Sequence, residues 1–128
     1  MKLLTWSLFD EAVYRIANIY EGRAFNGVYG FPRGGLCLAV ALSHVMRLPL
    51  LNQLEPDCLV VDDIYETGLT MSSALGVEGC ECVVWISKVV PDGWRAVEVD
   101  LADDWIVFPW ESLAQAKADE EAYRASRQ

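Results

Sequence analysis

Basic residues are scarce: 10 lysines and arginines stand against 19 aspartates and glutamates, for a formal net charge of −9. Binding a polyanion through its backbone takes a lysine and arginine patch, and the few present are scattered, several in the tail, which excludes a nucleic-acid surface. Long apolar runs are also missing. None approaches the roughly 20 residues that span a bilayer, so no membrane partner is expected. Met1–Leu4 begins as a signal peptide would, but Asp10 and Glu11 interrupt it and no small-residue cleavage site follows, so a cytoplasmic location is expected. Histidine occurs once, as His44, and the four cysteines lack zinc-site spacing. Cys80 and Cys82 form C-x-C in a strand-like run and share one face, as buried, reduced thiols. Repeats, low-complexity segments and linkers are absent, and the 128 residues make one domain, 1–128.

The elements that are present alternate. Ser7 and Asp10 have capping-box spacing, and Phe9, Val13, Ile16, Ala17 and Tyr20 recur at helical intervals, which predicts a helix over 7–20. Val28–Phe31 is a short strand running into Pro32-Arg33-Gly34-Gly35. Residues 36–47 are apolar nearly all round, the pattern of a helix covered by a sheet on one side and a second subunit on the other, with His44 half-buried at its middle. Cys58–Val61 is a continuous apolar run, as in a strand covered on both faces, and ends at Asp62 and Asp63. A short helix within 68–76, a buried strand over 82–87, a polar stretch, a short run at Trp105–Phe108 and a charged helix capped by Ser112 and Gln115 complete the chain. This order predicts a three-layer α/β fold with a mainly parallel, twisted sheet flanked by helices.

Ligands of open α/β sheets bind beyond the carboxyl ends of the strands. Three predicted strands end there in polar sequence: Arg33-Gly34, Asp62-Asp63 and Lys88. Adjacent carboxylates can meet the two hydroxyls of a ribose, directly or through Mg²⁺ and water. Thr67, Gly68 and Thr70 then offer hydroxyls and close backbone N–H groups for a phosphate.

The segment Val60-Val61-Asp62-Asp63-Ile64-Tyr65-Glu66-Thr67-Gly68-Leu69-Thr70 resembles the ribose-5-phosphate signature of the type I phosphoribosyltransferases. Thr5-Trp6, Arg33-Gly34-Gly35-Leu36, Lys88, Trp105-Ile106 and Pro109-Trp110-Glu111 resemble the bacterial xanthine-guanine branch in colinear order. The resemblance implies transfer of 5-phosphoribose from phosphoribosyl pyrophosphate to a purine base, giving a nucleoside monophosphate, in a homodimer. It assigns Asp62 and Asp63 to the ribose hydroxyls and to Mg²⁺, and Glu66, Thr67, Gly68, Leu69 and Thr70 to the ribose-5-phosphate. Arg33 and Gly34 fall in a pyrophosphate loop that often carries a non-proline cis peptide. Lys88, Trp105 and Ile106 fall to the base, and Glu66, Asp63 and Arg33 to catalysis. Three departures are visible. Glu66 stands where the family has aspartate, Leu69 where it often has glycine, and only Asn52–Asp57 occupies the place of the family's flexible lid. A truncated, lidless member is therefore expected, with a nucleotide sensor that does not turn over as the alternative.

Overall fold

The computed structural model describes residues 1–127. They form two compact units, one made of Met1–Glu11 and the chain from Ala102 onward, the other of Ala12–Leu101.

The larger unit is built on a four-stranded, wholly parallel sheet. Its strands are β2 (Val28–Gly30), β3 (Leu59–Tyr65), β4 (Glu81–Ser87) and β5 (Arg95–Val99), in that order across the sheet. β3 and β4 are central, and Leu59, Val60, Val61, Val83, Val84 and Ile86 are fully buried. Cover on both faces is why these strands read as unbroken apolar runs. Helix α2 (Leu36–Met46) crosses from β2 to β3, and the single turn α3 (Ser72–Leu75) from β3 to β4. The α/β fold with a mainly parallel sheet and flanking helices is thus the one observed.

Helix α1 (Trp6–Ile19) begins in the smaller unit and ends in the larger, where Ala12, Val13 and Ile16 are buried at helical spacing. Its cap corrects the sequence reading. Thr5, not Ser7, starts the helix, its hydroxyl accepting from the Leu8 N–H at 3.1 Å. In α2 the residues Leu38, Ala39 and Leu42 are buried, while Leu36, Val40 and Val45 are 40–42% exposed. His44 is exposed rather than half-buried, because it lies off the stripe that meets the sheet.

β5 was not foreseen. The chain needs only seven residues, 88–94, to return from Ser87 and pair Arg95 with Val83, and no crossover helix marks the connection. Its sequence, Arg-Ala-Val-Glu-Val, has no fully buried member, as suits an edge strand.

In the smaller unit β1 (Lys2–Leu3) pairs in parallel with β6 (Ile106–Val107). Helix α4 (Leu113–Ala125) follows, its Ser112 side chain accepting from the Gln115 N–H as the spacing predicted. Trp6, Phe9 and Trp110 meet at centroid distances of 5.3–6.2 Å.

Candidate functional site

β3 outruns its neighbour. β2 pairs with it only as far as Gly30 opposite Val61, whereas pairing with β4 continues to Tyr65 opposite Ser87. The strand therefore does not stop at Asp62 and Asp63, as their charge implied; it carries them outward with one edge open. A half-paired strand tolerates acids that a fully covered one would not.

The 31–35 turn closes over this open edge. The Phe31 N–H donates to the Val61 carbonyl at 3.2 Å, and the Gly35 N–H returns to the Phe31 carbonyl at 2.8 Å. The Pro32–Arg33 peptide is cis, in the loop where the resemblance placed such a bond. Gly34 faces the Asp63 carboxylate so closely that a β-carbon there would overlap the carboxylate carbon and both oxygens. Glycine at 34 is thus the condition for Asp63 to point as it does.

Asp62 is 7% exposed, and its Oδ1 accepts from the Asp63 N–H at 2.8 Å. Burial, with the neighbouring Asp63 adding to it, pushes the Asp62 carboxyl up to about 8. Burial also raises Asp63, partly offset by hydrogen bonds from Asp62 and from the backbone at Ile64. Two carboxyls sharing a confined site hold a proton tightly, and a cation or a set of donor hydroxyls would displace it.

Beyond Tyr65 the chain turns through Glu66–Met71 into α3. The Thr67 hydroxyl accepts from the Leu69 N–H at 3.4 Å, and the Ser72 hydroxyl donates to the Leu69 carbonyl at 2.8 Å. Gly68 has φ +81° and lies directly on the Tyr65 hydroxyl, and Tyr65 in turn stacks on Trp94 at 3.7 Å and 17°. The loop is thus laid over an aromatic floor. Because α3 is a single turn, its dipole is minor, and an anion here would be met by loop N–H groups and hydroxyls.

A cavity of about 340 Å³ joins these pieces, lined by Pro32 and Gly34, by Asp62–Thr67, and by Gly68, Thr70 and Met71. Arg33 and Leu69 are exposed outside the lining, Leu69 at 82%. Lys88 donates its backbone N–H to the Tyr65 carbonyl at 2.8 Å, while its Nζ lies 3.6 Å from Asp100 Oδ2. In the smaller unit Trp105 packs on Tyr123 at 5.3 Å, and Ile106 is buried. Tyr65 and Trp94 were missed. Tyr65 could have been read from its i+2 spacing to Asp63, which puts both on one strand face, but nothing local ties Trp94 to this loop. Among the described residues no group of three or more His, Cys, Asp and Glu side chains is disposed to hold a metal ion.

A parallel sheet whose strand next to the edge delivers adjacent aspartates and a Thr-Gly-Leu-Thr turn to one cavity defines a class: the fold is that of the type I phosphoribosyltransferases. The chain resembles their purine and xanthine-guanine members. A purine phosphoribosyltransferase from Pyrococcus horikoshii is 27% identical and superposes with a TM-score of 0.72 over 88% of this chain and 94% of that one. A xanthine-guanine-hypoxanthine phosphoribosyltransferase from Helicobacter pylori shares the fold at 16% identity and TM-score 0.69, over 92% and 97% of the two chains. An orotate phosphoribosyltransferase from Aeropyrum pernix shares it at 19% identity and TM-score 0.56, over 71% and 70%. No protein-family model and no curated protein matches the sequence.

Proposed function

We propose that this chain is a phosphoribosyltransferase that joins the 5-phosphoribosyl group of phosphoribosyl pyrophosphate to a purine nitrogen, releasing pyrophosphate. The observation that carries the reading is the meeting of Asp62, Asp63, Gly34 and the 66–70 loop around one cavity. Asp62 and Asp63 accept from the ribose hydroxyls. The hydroxyls of Thr67 and Thr70 and the loop N–H groups, Gly68 and Leu69 included, donate to the 5-phosphate. Arg33 and Gly34 border the pyrophosphate, and Glu66, which lines the cavity, takes the proton the purine gives up. By resemblance Lys88, Trp105 and Ile106 are assigned to the base. The whole chain acts as one domain, in a homodimer, in the cytoplasm.

Mg²⁺ suits the site. It takes one or two carboxylates and completes its shell with water and substrate oxygens, and Asp62 with Asp63 is such a pair. When bound it would neutralise charge on the departing pyrophosphate. The likeness to the Pyrococcus purine phosphoribosyltransferase, which covers nearly all of both chains, supports a transferase.

The test is a pyrophosphate-release screen with guanine, xanthine, hypoxanthine, adenine and orotate. Turnover with a purine and Mg²⁺ is expected, falling about a hundredfold or more in Asp63→Asn. Glu66→Asp, which moves the carboxylate by about an ångström, should change kcat more than KM. Release with no purine would remove the reading.

A second reading, a nucleotide sensor, is favoured by the short 52–57 connection, which holds no helix or strand to cover the cavity. A hypothetical protein from Neisseria gonorrhoeae of the same fold, with bound ppGpp, gives it a ligand to try. Titration calorimetry with GMP, phosphoribosyl pyrophosphate and ppGpp decides: saturable heat without pyrophosphate release supports the sensor.

A further inference from the structure

Three of the four cysteines gather where β3 and β4 begin, away from the carboxyl-end cavity. The register sets Leu59 opposite Glu81 and Val60 opposite Cys82. One step back it sets Cys58 opposite Cys80, and the Glu81 N–H still reaches the Cys58 carbonyl at 3.2 Å. Neighbouring strands lie about 4.8 Å apart, within the Cα range of about 4.4–6.8 Å that a disulfide accepts. The two Sγ atoms are 3.5 Å apart, and the Cys80 thiol also donates to the Glu55 carbonyl at 3.1 Å. Cys58 is fully buried, whereas Cys80 is half-buried and offers the way in.

We infer that Cys58 and Cys80 form an oxidative modification site, a dithiol that a small disulfide such as oxidised glutathione closes reversibly. The Cys80 thiolate attacks one sulfur of oxidised glutathione, breaking its S–S bond and releasing one glutathione. The Cys58 thiolate then attacks the Cys80 sulfur of the mixed disulfide and expels the second. The protein gives up two electrons and two protons, and two glutathione thiols carry them away. Burial holds the Cys58 thiol up at about 11, so the closing step quickens as pH rises. Cys82, buried in the same cluster and opposite Val60, stays reduced.

The test treats the folded chain with oxidised glutathione, then quenches, alkylates and weighs it. The expected result is a loss of about 2 Da, with only two alkylatable thiols left and reversal by dithiothreitol. Cleavage with trypsin and glutamyl endopeptidase puts Cys58, Cys80 and Cys82 on separate fragments, and the linked pair should be those holding Cys58 and Cys80. Cys58→Ala should keep a glutathione on Cys80 instead of losing mass. Four alkylated thiols in the treated wild type, or a bond joining Cys80 to Cys82, would overturn the assignment. This outcome is independent of whether the cavity at the other end turns over.

Discussion

Asp62 is the residue on which most depends, and its chemistry has a measurable sign. A carboxyl whose pKa is raised on folding, here from 3.8 to about 8, binds its proton more tightly in the fold than in the unfolded chain. The stability this contributes is fully present below the unfolded value and is lost as pH climbs toward about 8. Asp63 is raised in the same direction, so the two reinforce each other. Asp62→Asn keeps the oxygen that accepts the Asp63 N–H and removes the charge. It should flatten the fall in Tm between pH 4 and 8 and raise Tm above pH 8, by roughly a few degrees. Thermal melts followed by circular dichroism across pH 4–9 check this, and a variant less stable than wild type at every pH would contradict it.

At the scale of the element, the 66–71 loop and its aromatic floor act as a unit. Gly68→Ala should cost about 1–2 kcal/mol for the left-handed backbone alone, and more for the contact with the Tyr65 hydroxyl. Tyr65→Phe relieves the second part and leaves the first. In chemical denaturation the double variant should therefore be more stable than the two single changes added together, by roughly 0.5–1 kcal/mol. Strict additivity would mean that loop and floor are independent. Much of this element was legible. The apolar run before Asp62, the Thr67-Gly68-Leu69-Thr70 turn and the Gly34 loop are contiguous signals, and contiguous signals survive without a structure. What was not legible depends on pairing across the sheet. The extension of β3 to Tyr65 is set by β4, β5 is set by a short return, and Trp94 reaches Tyr65 only because that return brings it there. Thr5 displacing Ser7 as cap was a choice between two neighbouring hydroxyls that spacing alone could not make.

At the scale of the whole molecule, the outer face of α2 bears on assembly. Leu36, Val40 and Val45 remain about two-fifths exposed on a helix with almost no polar side chain. A net charge of −9 keeps chains apart at long range, so association needs local apolar contact to overcome it. Light scattering at micromolar concentration should give twice the 14.3 kDa of one chain, and Val40→Glu should return it to a single copy. A wild type that scatters as one chain would remove the homodimer from the proposed function.

The overhang of β3 has one more consequence. Beyond the end of β2 the flank of β3 carries no paired strand, only the 31–35 turn, and a strand edge left without a partner strand is a template on which foreign strands can grow. Here the Asp62 side chain takes up the Asp63 amide that a recruited strand would otherwise claim, and two acids in succession repel any newcomer. The carboxyls that line the cavity therefore also guard this edge against strand-on-strand growth.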